Sequence, residues 1–305
     1  MKGKDNKENI KVINERDLHS NVVYQELLVG KGIFVERYIL PNKAAPLEIL
    51  MFVGLNILPS TKYFGHFPFN LCKETNANVS VVYQLGCSGR LNCYFRRLTQ
   101  EEAEEQYLAG FEIVKGFKGK VIIFSHSAST IEHLKLIFND KYKNFSEGID
   151  IRGGIISSAV TNILLELRRA WPNYKNFNWK NIMRIARFFD LPIPVYPYFN
   201  KAKHAKYSSM NNLSLWINSR TAEFLLSTNI KKIILNGKTL DYPLLVFIPK
   251  HDSLFSPKRQ ETLVKYMSKK AKITLIKCDT EHNIFLSDNT WQILEEIKKY
   301  INTFI

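Results

Sequence analysis

No stretch of this sequence approaches eighteen consecutive apolar residues, so no helix able to cross a bilayer is expected. The first residues, MKGKDNKENIKVIN, carry charge but no apolar core, which argues against a secretory signal. Cysteine is scarce. Cys72, Cys87, Cys93 and Cys278 form no Cys-x-x-Cys pair and have no histidine at metal spacing. They are expected as free thiols of a reducing compartment, hence a cytoplasmic protein. No glycine-rich loop follows a strand with phosphate-binding or dinucleotide spacing, and the tract Gly30–Phe34 (GKGIF) lacks that spacing. With no convincing His/Asp/Glu ligand set either, neither a cofactor nor a metal is expected.

What is present fits a globular enzyme-sized chain. Its 305 residues suit one large α/β domain with an insertion, and 45% hydrophobic with 23% charged residues is ordinary. A core of that size needs no disulfide staples. The formal charge of +15 is uneven: residues 160–240 hold thirteen Lys plus Arg against three Asp plus Glu. This is read either as a solvated lysine-rich face or as attraction to an anionic lipid, a membrane surface or an acidic protein. No recognition helix or RNA-binding aromatic motif accompanies the charge, so nucleic acid is not expected as a partner.

After a polar leader to about Ser20, VVYQELLV and IFVERYIL flank a glycine-containing loop and predict a hairpin. LEILMFVGL and VSVVYQLG predict buried strands. Thr99 opens a helix with a capping box to Glu102, and KVIIFSH predicts a strand followed by a helix to Phe138. DIRGGIISSA, YPLLVFIPKHD and ITLIKC predict further strands. Helices are expected at SPKRQETLVKYMSK, with Pro257 near its start, and at the C-terminus. Strands alternating with helices imply a mostly parallel central sheet with helices on both faces. Residues 160–240 break the rhythm with aromatics and the proline-rich LPIPVYP. They are read as an inserted, mostly helical cap between core segments 21–159 and 241–305.

The strand Lys120–His126 stops at Ser125-His126-Ser127-Ala128-Ser129. Strand, tight turn bearing a serine, then helix is a nucleophile elbow, in which the residues two before and two after the nucleophile must be small. Serine stands in both of those places, usually glycine. An elbow serine needs an acid after a later strand and a histidine after the last one. Asp252 follows LLVFIPKH, and His282 follows ITLIKCDTE. All three fall at strand C-terminal ends, the edge where open α/β sheets place their sites. Asp279 and Glu281 are alternative acids but lie too near His282 in sequence to reach its ring easily. His126 is read as packing beside the elbow, His251 as a loop residue, His66 and His133 as surface or satisfied residues, and His204 as solvated.

In these residues, from about Val23 onward, the chain resembles the capped serine-hydrolase branch of the α/β-hydrolase superfamily, which includes monoacylglycerol lipases, lysophospholipases and proline iminopeptidase-like enzymes. Ser-His-Ser at the elbow, the interval from Asp252 to His282, and a degenerate D-x-x-G-x-G-x-S-like tract at Tyr83–Arg90 carry the resemblance. It implies backbone oxyanion donors at Leu55 and Ala128. Two departures stand out: Val53-Gly54 where the family usually has His-Gly, and the glycine-free elbow. The expected activity is hydrolysis of a carboxylic ester through Ser127, His282 and Asp252 and an acyl-enzyme, on a lipid or lysophospholipid ester or an acyl thioester. The alternatives are a degenerate, non-catalytic binding protein on the same fold, or a thioesterase or acyltransferase acting on an acidic acyl carrier.

Overall fold

A computed structural model describes residues 9–19, 21–41, 45–54, 63–84, 99–139, 144–161, 228–252 and 255–304, together with residues 181 and 185 and two short strands at 192–194 and 216–218. The strands are β1 (Ile10–Leu18), β2 (Val22–Val29), β3 (Ile33–Ile39), β4 (Leu47–Phe52), β5 (Asn78–Val82), β6 (Lys120–His126), β7 (Ile151–Ser157), β8 (Pro192–Pro194), β9 (Trp216–Asn218), β10 (Leu244–Pro249) and β11 (Ile273–Cys278). The helices are α1 (Phe67–Thr75), α2 (Gln100–Val114), α3 (Thr130–Phe138), α4 (Ile230–Asn236), α5 (Pro257–Met267) and α6 (Thr290–Ile301).

Nine strands form one sheet in the order β1-β2-β3-β5-β4-β6-β7-β10-β11. Along that order, β1-β2-β3-β5 pair antiparallel and β5-β4-β6-β7-β10-β11 pair in parallel. The central strands read as unbroken apolar runs because both of their faces are covered. Leu47, Ile49 and Met51 of β4, with Ile122 and Phe124 of β6, pack in the layer that holds α1 and α6. Leu50, Phe52, Val121 and Ile123 point the other way, against Tyr107, Phe111 and Val114 of α2. Ile156, Val246 and Ile248 pack with Ile131 and Leu134 of α3, Ile234 of α4 and Leu263 of α5.

The mostly parallel sheet with helices on both faces is as expected, and so is the capping box. Thr99 Oγ1 accepts the Glu102 N–H at 3.2 Å, and Glu102 accepts the Thr99 N–H at 2.9 Å. Three features differ. The polar leader contains β1, an edge strand exposed along nearly its whole length, so no apolar face betrays it. Helix α1, absent from the expectation, begins with Pro68 in its first turn and stops at Asn76, which takes the left-handed conformation at φ 52°. Finally, a helix lies at Ile230–Asn236, in the last part of the expected cap. Asn229 caps α4 by accepting the Lys232 N–H at 3.0 Å, and Ile230 and Ile234 are buried in the core. Helix α4, within the expected cap, packs its apolar side on α3 and α5. Most of the expected cap lies outside the described residues. Within it, β8 and β9 form an antiparallel pair, Ile193 opposite Ile217.

Candidate active site

The site grows from the turn after β6. Ser127 has φ 58°, in the left-handed region that non-glycine residues rarely enter. It opens a single 3-10 turn, Ser127–Ser129, that runs into α3. The flanking serines do more than stay small. Ser129 Oγ accepts the His126 N–H at 3.0 Å and donates to the Phe52 carbonyl at 2.7 Å, lashing the elbow to β4. Ser125 Oγ lies 2.7 Å from His133 Nδ1. Thr130 Oγ1 donates to the Ser127 carbonyl at 2.6 Å. From α2, the Tyr107 hydroxyl donates to the Ser129 carbonyl at 2.8 Å while its ring stacks on Phe52 with centroids 3.8 Å apart.

Three side chains from distant parts of the chain meet here. His282 Nε2 lies 3.0 Å from Ser127 Oγ, and its Nδ1 lies 3.1 Å from each carboxylate oxygen of Asp252. Asp252 is buried and fixed independently: Oδ1 accepts the Phe255 N–H at 2.8 Å and Oδ2 accepts from Gln260 Nε2 at 2.9 Å. A carboxylate at Nδ1 holds the proton there and leaves Nε2 as an acceptor facing the serine. Ser127 is half-buried. Asp279 instead pairs with the exposed His251 at 2.7 Å.

The backbone beside Ser127 is equally constrained. A β-carbon at Gly54 would lie 2.9 Å from Ser127 Cβ and 3.3 Å from Ser127 Oγ, so only glycine lets the β4 strand end pass so close. Gln106 of α2 donates to the carbonyls of Val53 at 3.2 Å and Val82 at 2.8 Å. Val53 is fully buried. Ala128 sits in the first turn of the helical run, where backbone N–H groups have no intrahelical acceptor. Leu55, the other expected donor, and residues 85–90 of the degenerate loop lie outside the described residues.

The elbow histidine is satisfied rather than reactive. His126 is fully buried, with Nε2 at 2.8 Å from the Tyr63 hydroxyl and Nδ1 at 3.0 Å from Ser157 Oγ. Burial, with His282 nearby, pushes its pKa well below the usual imidazole value. His133 is buried, not superficial, and burial lowers its pKa to about 3. His66 is exposed, and His204 lies outside the described residues. Gln260, Tyr63, Gln106 and Ser157 carried no sequence signal of their own, since their roles depend on which strand ends the fold brings together. Among the described residues no group of three or more His, Cys, Asp or Glu could hold a metal. Cys72 and Cys278 are buried free thiols, and Cys87 and Cys93 lie outside the described residues.

No protein-family model matches the sequence, and no curated protein does. Solved structures do. A soluble variant of monoglyceride lipase from Saccharomyces cerevisiae, in complex with a substrate analog, superposes with TM-score 0.61 at 13% identity over 97% of this chain and 97% of its own. The chain has the α/β-hydrolase fold. The α/β hydrolase GrgF from Penicillium sp. sh18 gives TM-score 0.60 at 12% identity, covering 96% of this chain and 98% of that one. The Pyrococcus furiosus esterase Pf2001 gives 0.55 at 12% identity, covering 95% and 89%. The likeness spans nearly the whole of each neighbour's chain, and at these identities it speaks for the fold.

Proposed function

We propose that this α/β-hydrolase-fold chain is a serine hydrolase that cleaves a carboxylic ester with Ser127, His282 and Asp252 as its catalytic triad. The observation that carries the reading is the continuous hydrogen-bonded line from Ser127 Oγ through the His282 ring to a buried, doubly anchored Asp252. In this mechanism His282 Nε2 takes the hydroxyl proton as Ser127 Oγ bonds to the acyl carbon. Asp252 stabilises the imidazolium that results. The oxyanion is held by backbone N–H groups, Ala128 and Leu55 in this reading, each worth about 3 kcal/mol in the transition state. His282 then returns its proton to the departing alcohol, leaving an acyl-Ser127 ester. Water, deprotonated by the same imidazole, releases the acid and restores the serine.

Val53 and the glycine-free elbow do not argue against catalysis. The oxyanion donors are backbone groups, and the elbow keeps its left-handed nucleophile and a glycine at position 54. The finer assignment is an ester with an apolar acyl chain and an anionic headgroup, from the aromatic and basic composition of residues 160–240. Hydrolysis of p-nitrophenyl esters from acetate to palmitate tests both levels. Turnover in the wild type that falls by roughly 10⁴-fold or more in Ser127→Ala supports the triad. A preference for acetate over longer chains removes the lipid assignment and leaves the hydrolase class standing.

A further inference from the structure

Among the described residues four non-glycine residues have positive φ: Asn21, Asn76, Ser127 and Ser158. Asparagine tolerates the left-handed region because its short side chain can bond locally. The two serines are different. They end neighbouring parallel strands, β6 and β7, in matched register, with His126 opposite Ser157. The strain at Ser127 belongs to the elbow. Ser158, at φ 50°, is fully buried. Glycine would adopt its backbone at lower cost, so the serine side chain needs its own explanation.

The hydroxyl supplies one. Ser158 Oγ donates to the backbone carbonyl of His282 at 2.7 Å, while its N–H bonds the Phe247 carbonyl of β10 at 3.3 Å. Its neighbours reach the other way. Ser157 Oγ bonds His126 Nδ1 at 3.0 Å, and the Val160 N–H donates at 3.1 Å to Thr130 Oγ1, the hydroxyl that holds the Ser127 carbonyl. Residues 157–160 therefore touch the nucleophile's turn on one side and the histidine's loop on the other. Asp252 holds the imidazole only at Nδ1, and nothing in that bond sets where the His282 main chain stands. The geometry points to Ser158 as a positioning residue: its hydroxyl fixes the His282 backbone so that Nε2 meets Ser127 Oγ. The inference rests on the triad reading above.

Ser158→Gly removes the hydroxyl and leaves a backbone at ease with positive φ, whereas Ser158→Ala removes the hydroxyl and keeps the strain. Turnover of a p-nitrophenyl ester is measured for both, with thermal midpoints, alongside the ring resonances of ¹⁵N-histidine-labelled protein. Misplacing a reacting group by about 1 Å costs on the order of 10²-fold. Both variants are expected to lose about 10- to 10²-fold in kcat at little-changed KM, with a smaller fall in thermal midpoint for Ser158→Gly, which relieves the strain, than for Ser158→Ala. The His282 ring signals should shift or broaden while those of His133 stay in place. A Ser158→Gly enzyme with wild-type kcat, or one whose His282 resonances are unmoved, would overturn the role. If the wild type hydrolyses no ester, the hydrolase reading fails separately, and the His282 resonances alone decide whether Ser158 sets that loop.

Discussion

A β-carbon placed on Gly54 would press into Ser127 itself, at 2.9 Å from its Cβ. Gly54→Ala is therefore expected to cut ester turnover by about 10²-fold with a smaller effect on stability, because the clash must move either the strand end or Ser127. Turnover equal to wild type would show that the close approach does not matter. His133 supports a second residue-scale prediction. Burial lowers its pKa from 6.5 in the unfolded chain to about 3 in the fold. Between those values the unfolded chain binds a proton that the fold refuses, so this contribution is complete above the unfolded value and is lost as pH falls towards 3. Urea denaturation of His133→Asn from pH 7 to 4 should show a stability slope shallower than wild type by roughly 1.4 kcal/mol per pH unit below about pH 6. Equal slopes would refute it. Ser127, Asp252 and His282, the proposed triad, could be picked out in the sequence because each lies just past the end of a recognisable strand. Gln260 and Ser158 were not, because a glutamine on a helix and a second serine at a strand end gain meaning only from Asp252 and His282 across space.

Helix α2 braces the site, and its parts separate local from tertiary contributions. Its capping box is a local device, so Glu102→Ala is expected to cost about 1 kcal/mol with turnover intact. Gln106 acts at a distance, donating to carbonyls at the ends of β4 and β5. Gln106→Leu withdraws that donor from buried carbonyls and is expected to cost about 1–3 kcal/mol and to slow turnover as well. Chemical denaturation of the two variants, compared with their ester turnover, checks the pair. Equal effects on both measurements would contradict the distinction. The same split explains which elements the sequence revealed. Strand β6 is apolar on both faces and ends in polar residues, so it could be read to the residue. Strand β1 is wet along its length and gave no alternation to read. Helix α1 buries Phe67, Phe69 and Leu71 in a short span, too brief for a helical period to stand out from an apolar run.

For the molecule as a whole, the parallel order β4-β6-β7-β10-β11 aligns strand C-terminal ends along one edge and brings together residues 155 positions apart in the chain. Among the described residues no helix is long and apolar enough to cross a membrane. The sheet's layering follows from alternating side chains that find helices on both sides, which is why fold class could be argued from apolar strands alternating with helices. The packing of α4 on α3 and α5 could not, because Lys231 and Lys232 are exposed and only three isoleucines, Ile230, Ile233 and Ile234, face the core. The central claim concerns one oxygen atom, and mass-spectrometric mapping of the adduct formed with a fluorophosphonate tests it most directly. The account predicts a single phosphonylated residue, Ser127, with labelling abolished in Ser127→Ala and slowed at least 10³-fold in His282→Ala. An adduct on another residue, or labelling that persists undiminished in Ser127→Ala, would contradict it.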